Sequence, residues 1–185
     1  MGSLKLEPAM TRSDLLAEPV AAALEVWPVE APIDGDQIMV APIDPDLADT
    51  AAFCDAYAVT LDESANCVVV AGRRGGVTRY AACVVLATTR ADVNGVVRKL
   101  LDVRKASFAP MDEAVRLTGM EYGGITPIGL PKDWPVLVDA RVVATPRVII
   151  GSGVRHSKIA IAGPALGALP GAEVIEGLAR EVGAV

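Results

Sequence analysis

The chain has 185 residues, 52% of them apolar and 22% charged, with a formal net charge of −6. That length suits one domain of roughly 150 residues better than two, and the composition is globular rather than disordered. Three scattered cysteines and a single histidine exclude the usual four-ligand zinc sites, and no apolar run reaches the roughly 18 residues of a membrane span, so reduced thiols in a cytoplasmic protein are expected.

Ser13 can cap a helix over about 14–25, with Pro19 either early in it or kinking it. Glu18, Pro19 and Glu25 also break the apolar stretch Leu15–Trp27, so it does not read as a signal peptide. Gln37–Pro42 reads as a short strand. Asp46 or Asp49 opens a helix through about Tyr57, with Ala52, Phe53, Ala56 and Tyr57 at helical spacing. Asn66–Ala71 and Thr78–Ala87 flank Arg73-Arg74-Gly75-Gly76 and predict a hairpin. Asp92 caps a helix over Val93–Leu101, and a short strand end near Ser107 precedes a helix from Met111 that stops at Gly119. Val136–Asp139, Arg147–Gly151 and Lys158–Ile161 read as strands, Ala165–Leu169 as a helical turn and Glu173–Glu176 as a last strand. Hairpin-spaced strands with helices between them predict an α+β fold with a mixed, mainly antiparallel curved sheet flanked by helices.

Charge is unevenly spread. Residues 1–52 hold ten acids against Lys5 and Arg12, and the prolines and aspartates of 28–49 give that part a linker-like composition. Residues 1–36 therefore read as a helical and acidic extension, and 37–185 as the main domain. The remaining bases cluster at Arg73-Arg74 with Arg79, at Arg98-Lys99 with Arg104-Lys105, and at Arg141, Arg147, Arg155 and Lys158. They are too few for tight non-specific nucleic-acid binding, and read either as a local basic rim or as ordinary solvated side chains.

Several chemistries are missing. Gly151-Ser152-Gly153 follows a strand, but His156 stands where the dinucleotide fingerprint needs its third glycine. There is no phosphate-loop GxxxxGK(S/T), no GxSxG elbow and no HExxH. A Cys–His pair through His156 is open on sequence alone, although three aliphatic-flanked cysteines read more readily as core. Tyr57 and Trp134 read as packing anchors ahead of base-stacking platforms.

The unusual segment is Thr118-Gly119-Met120-Glu121-Tyr122-Gly123-Gly124-Ile125-Thr126-Pro127-Ile128-Gly129. Paired glycines before Ile, Thr and Pro allow a close backbone approach, either to an oxygen that converging amides would hold or to a neighbouring chain segment in a tight connection. Together with Asp44-Pro45, Val138-Asp139 and the Gly151 strand end, this segment resembles YbaK/EbsC proteins, a family that includes editing domains associated with prolyl-tRNA synthetase. The resemblance spans about 38–178. It implies a trans-acting aminoacyl-tRNA deacylase, hydrolysing a small amino acid such as Cys or Ala from proline tRNA. Its implied partners are the aminoacyl-tRNA 3′ end and a prolyl-tRNA synthetase, without a membrane, a metal or an organic cofactor. It further implies a site in which Asn66, Gly124 and Thr126 act on the ester while Gly123, Ile125, Pro127 and Asp139 bind substrate, although Asp139 at its strand end reads equally as a cap or turn residue; Lys158 joins the substrate-binding residues on its own chemistry, not through the resemblance. Two departures stand out: Asn66 occupies the position of a family lysine, and Ala41 that of an aromatic. Lys158, in the late turn Val154–Lys158, either restores the missing cation from another direction or is a solvated turn residue. The rival reading is a non-catalytic aminoacyl or amino-acid-binding module on the same fold. A Cys–His hydrolase unrelated to tRNA is a third.

Overall fold

A computed structural model of the chain describes residues 1–27 and 38–182. The expected acidic linker positions Asp34 and Asp36, and the start of the strand expected from Gln37, lie outside those residues.

The long hairpin is the backbone of the fold. Strands β3 (Ala65–Arg74) and β4 (Val77–Leu86) pair from Ala65↔Leu86 to Arg74↔Val77. Only Gly75 and Gly76 remain for the turn, and both have positive φ (58° and 80°), which is the two-residue hairpin geometry whose twist matches that of the strands. The strands therefore run further than expected, since the arginines before the glycines belong to the ladder. Strands β6 (Ala106–Phe108), β7 (Val136–Asp139) and β10 (Ala172–Ile175) complete a five-stranded sheet ordered β10-β7-β4-β3-β6, with β4–β7 and β7–β10 parallel and the rest antiparallel.

A second sheet has the order β1-β2-β9-β8, from Glu7–Pro8, Met39–Pro42, Ser157–Ile161 and Val148–Gly151, all antiparallel. Strands β5 (Thr89–Ala91) and β11 (Ala179–Glu181) form a separate pair. The strand content is thus divided among sheets, and among the described residues a single parallel bridge, Ser64↔Ile149, joins the two large ones. Helices α1 (Glu18–Glu25), α2 (Thr50–Tyr57), α3 (Arg98–Leu100), α4 (Met111–Thr118), α5 (Ala140–Ala144) and α6 (Gly163–Gly167) lie among them. Pro19 stands in the first turn of α1, where its missing N–H costs nothing, so the helix starts there instead of kinking. Asp92 does cap its helix, accepting from Gly95 N–H, and Gly119 ends α4 with φ 67°.

The core is aliphatic. Its main cluster packs Val84, Val138, Ile150 and Ile159 against Leu15, Val20 and Leu24, so the described part of the N-terminal segment shares one core with both sheets. Ser157 Oγ ties it further, donating to Leu15 O, while Ala17 N–H donates to Ser152 O. No helix among the described residues is long and apolar enough to cross a membrane.

Candidate active site

Strand β3 is open along part of one edge. At one end Ser64 bridges to β8, and at the other β6 pairs only from Val70 to Gly72. Between them a cavity of about 580 Å³ opens. Backbone direction alternates along a strand. Ser64 O accepts from Ala87 N–H on the β4 side, and Val69 O accepts from Ala109 N–H on the other. The N–H and C=O of Cys67, two residues before Val69, therefore point toward the cavity edge.

Five segments close around this edge. The start of α2 brings Asp49, Thr50 and Phe53; β3 brings Asn66 and Cys67; the end of β6 and α4 bring Phe108, Met111 and Ala114; the glycine loop brings Tyr122, Gly123 and Ile125; β8 and β9 bring Ile149, Gly151 and Lys158. The walls are largely apolar and the polar groups few, as in most small-molecule sites.

Among the described residues lining this cavity, Lys158 is the cation. Its register puts it opposite Gly151 on β8 and Ala41 on β2. Nζ donates to Ala48 O at 3.0 Å and lies 5.3 Å from the centroid of the Phe53 ring. Burial, with the nearby Arg155 charge adding to it, pushes the ammonium down to about 8, against smaller opposing effects of Asp49 and Cys54. The group is mostly charged at neutral pH yet ready to lose its proton. Asn66 Oδ1 accepts the Thr50 hydroxyl at 2.8 Å, which fixes the amide and turns its NH₂ away from that partner.

The glycine loop is held by the late glycine turn. Glu121 N–H donates to Gly153 O and Gly153 N–H to Gly124 O, each at 2.8 Å, and Arg155 N–H donates to the Glu121 carboxylate at 2.6 Å. A Cβ on Gly124 would run into the backbone of Val154, and one on Gly151 into Gly124 O. The close approach expected of the paired glycines is thus made to another chain segment. Gly124 N–H donates to Glu121 O, and Thr126 is fully buried with its N–H 3.5 Å from Met120 Sδ. Gly124, Thr126 and Pro127 are not among the residues lining the cavity; Gly123 and Ile125 are.

Asp139 also lies outside the cavity lining. It caps α5 through Arg141 N–H, pairs with the Arg141 guanidinium at 2.8 and 3.0 Å, and accepts Ala179 N–H at 2.9 Å. Burial alone would raise its carboxyl, but these donors outweigh that and hold it below the usual range. A residue so occupied joins β7 to β11 and has no lone pair to offer a substrate. The His156 ring contacts Asp14 O at 3.3 Å and does not line the cavity, so it is not brought to Cys67 there. Burial pushes the Cys67 thiol far up, which leaves it protonated and a poor nucleophile. Among the described residues no group of three His, Cys, Asp or Glu is placed to hold a metal ion.

The sequence reading missed Thr50, Phe53 and the rim residues Phe108, Met111 and Tyr122. Thr50 had a legible signal as the first residue of a helix, and Tyr122 one as the neighbour of Gly123 in the glycine segment; Phe108 and Met111 had none, because only the fold brings β6 beside the loop.

Residues 44–169 match the family model of the aminoacyl-tRNA editing domain. The chain belongs to that family. Among solved structures, a proposed trans-editing enzyme for prolyl-tRNA synthetase is 22% identical with a TM-score of 0.70, the match covering 86% of this chain and 94% of that one. The hypothetical protein APE2540 is 20% identical with a TM-score of 0.71, covering 85% and 99%. A chain from Marinobacter aquaeolei VT8, described there as a proposed signal-transduction protein, is 17% identical with a TM-score of 0.51, and the match takes in 30% of its length. At these identities the likeness is one of fold. No protein with a curated description matches the chain.

Proposed function

We propose that this editing-domain protein is a trans-acting deacylase that hydrolyses the ester of mischarged tRNA, with a small amino acid such as Cys or Ala on proline tRNA as substrate. The observation that carries the reading is Lys158 in the same cavity as Asn66 and Gly123. The cation absent from position 66 has a counterpart on β9. Family membership supports the reaction class, and the trans-editing description of a structural neighbour supports action on a separately bound tRNA.

The chemistry asks little of a nucleophile. An aminoacyl ester is activated, so positioning and oxyanion stabilisation carry most of the acceleration. In this reading the substrate ammonium donates to Cys67 O, while Lys158 Nζ, Asn66 Nδ2 and the amides of Gly123 and Ile125 face the carbonyl oxygen. A water, or the thiol of a cysteinyl substrate, adds to the carbonyl carbon and gives up its proton to solvent. The tetrahedral oxyanion then collapses, breaking the bond to the ribose oxygen, which takes up a proton. With Lys158 at about 8, its ammonium is acidic enough to supply that proton near neutral pH.

The rival reading, an aminoacyl-binding module without catalysis, draws on one observation: a neutral amide, held through its Oδ1 by Thr50, stands at the position of the family lysine and brings no charge there. Incubating the purified protein with a panel of correctly and incorrectly charged tRNAs, and following ester loss, separates the two. Selective loss of Cys or Ala from proline tRNA is expected. Protection of the ester, or no change on any tRNA, would establish the binding module instead.

A further inference from the structure

The most concentrated positive charge in the sequence lies at the other end of β6 from the cavity and has no part in the chemistry above. Residues 73–79 carry Arg73, Arg74 and Arg79 without an acid; residues 98–105 carry Arg98, Lys99, Arg104 and Lys105 against Asp102 alone. Two short segments thus hold a net charge of +6 in a chain of net −6. The fold brings them together. Arg74 pairs with the Asp102 carboxylate, and Arg79 Nη1 donates to Leu101 O at 2.9 Å. Gly72 leaves room only for the Val103 side chain and the Lys105 carbonyl, and pairs with Ala106 on β6. Apart from Arg98, which is partly buried, all these cations are exposed.

Strand β6 leads from this cluster to the cavity. Lys105 immediately precedes it, and Phe108 at its other end lines the cavity and is 53% exposed. Three residues of extended chain separate the two, about 10 Å. Met111 and Tyr122 are exposed on the same rim, so three of the large apolar side chains left in solvent surround one opening. An aromatic face at a cavity mouth with a dense cationic strip behind it matches single-stranded RNA, whose bases stack on rings while phosphates meet Arg and Lys.

We propose that the β6 edge is the track for the tRNA 3′ strand: Phe108 stacks the terminal adenine, and the cations of 73–79 and 98–105, Lys105 foremost, hold the phosphates that precede it. This deepens the deacylase reading and rests on it for the identity of the RNA. Segregating this much positive charge in an acidic protein also steers a polyanion to one end of the molecule, while the acidic remainder repels it elsewhere.

The test is fluorescence anisotropy with an uncharged acceptor-stem RNA hairpin of proline tRNA, ending in CCA or truncated to CC, at salt from about 50 to 200 mM. Lys105→Glu should weaken binding about tenfold and Arg104→Glu with Lys105→Glu further, with a shallower salt dependence. Lys5→Glu, the same charge change at another exposed site, should have less than about a twofold effect. Phe108→Ala should abolish an approximately tenfold preference for CCA over CC, and Phe108→Trp should retain it. Unchanged urea midpoints show that the variants fold. Equal effects of Lys105→Glu and Lys5→Glu, no preference for CCA in the wild type, or no saturable binding would each overturn the assignment. The two readings fail separately. Hairpin binding as described, with no charged tRNA hydrolysed, keeps the track and removes the deacylase. Hydrolysis with a KM that Lys105→Glu leaves unchanged keeps the deacylase and removes the track.

Discussion

Replacing Lys158 by methionine should make the protein more stable while disabling the site. The ammonium is held at about 8 against an ordinary 10.5, chiefly by burial. At about 1.4 kcal/mol per pH unit, keeping it charged in the fold costs roughly 3 kcal/mol at neutral pH. Methionine removes that cost and fills similar space. It also loses the hydrogen bond to Ala48 O and the contact with Phe53, which together offset about 1–2 kcal/mol. A net gain of about 1–2 kcal/mol at pH 7 follows. The sign of the pH effect is fixed as well. Between pH 8 and 10.5 the unfolded chain binds the lysine proton more tightly than the folded one, so wild-type stability rises with pH across that window. The advantage of the variant should shrink by about 2 kcal/mol between pH 7 and 9.5. Urea unfolding of both proteins at the two pH values, followed by tryptophan fluorescence, measures it. A variant less stable than wild type at pH 7, or a difference that does not change with pH, would refute the reasoning.

Other expectations concern the rest of the frame. Gly124→Ala should destabilise by about 1–3 kcal/mol in urea, because its Cβ meets the fixed backbone of Val154. Asp139→Asn should cost about 2–3 kcal/mol through the lost pairing with Arg141. The Asp139 carboxyl is depressed in the fold, so its contribution is present above about pH 4 and is lost as pH falls. The Asn variant should accordingly lose less stability than wild type in acid unfolding. Cys67→Ala should leave the rate of ester loss within about threefold, since a thiol raised by burial supplies no nucleophile; a fall to background would restore the cysteine hydrolase reading. The wild-type rate, corrected for spontaneous hydrolysis, should decline above about pH 8 as Lys158 loses its proton, and Lys158→Arg should move that decline upward.

Most of the elements were legible because their signals are local. Gly75-Gly76 marks the hairpin, Asp92 and Gly119 mark helix ends, and the apolar runs 136–139 and 148–151 mark strands. The two-residue strand β1, the β5–β11 pair and α5 were not, since strands so short are made by their partners, and α5 is set by an Asp139 cap that sequence alone could equally give to a substrate. Of the residues read from the sequence as a candidate site, part share one cavity. Asn66, Gly123, Ile125 and Lys158 come together, whereas Gly124, Thr126 and Pro127 support the loop from behind and Asp139 belongs to another junction. The glycine pair could be read two ways because a backbone approach leaves the same sequence trace whether the neighbour is a ligand or Val154. That Lys158 enters the cavity follows from the alternation of β9 and its place opposite Gly151, which only the register reveals.

The measurement that tests the account most directly is single-turnover hydrolysis of Cys- and Ala-charged proline tRNA by the wild type and by Lys158→Gln, with correctly charged prolyl-tRNA alongside. Loss of one charge-assisted contact to the developing oxyanion, worth about 2–3 kcal/mol, predicts hydrolysis of the mischarged esters that slows by one to two decades in the variant. Equal rates in the two proteins, or no hydrolysis by either, would contradict it.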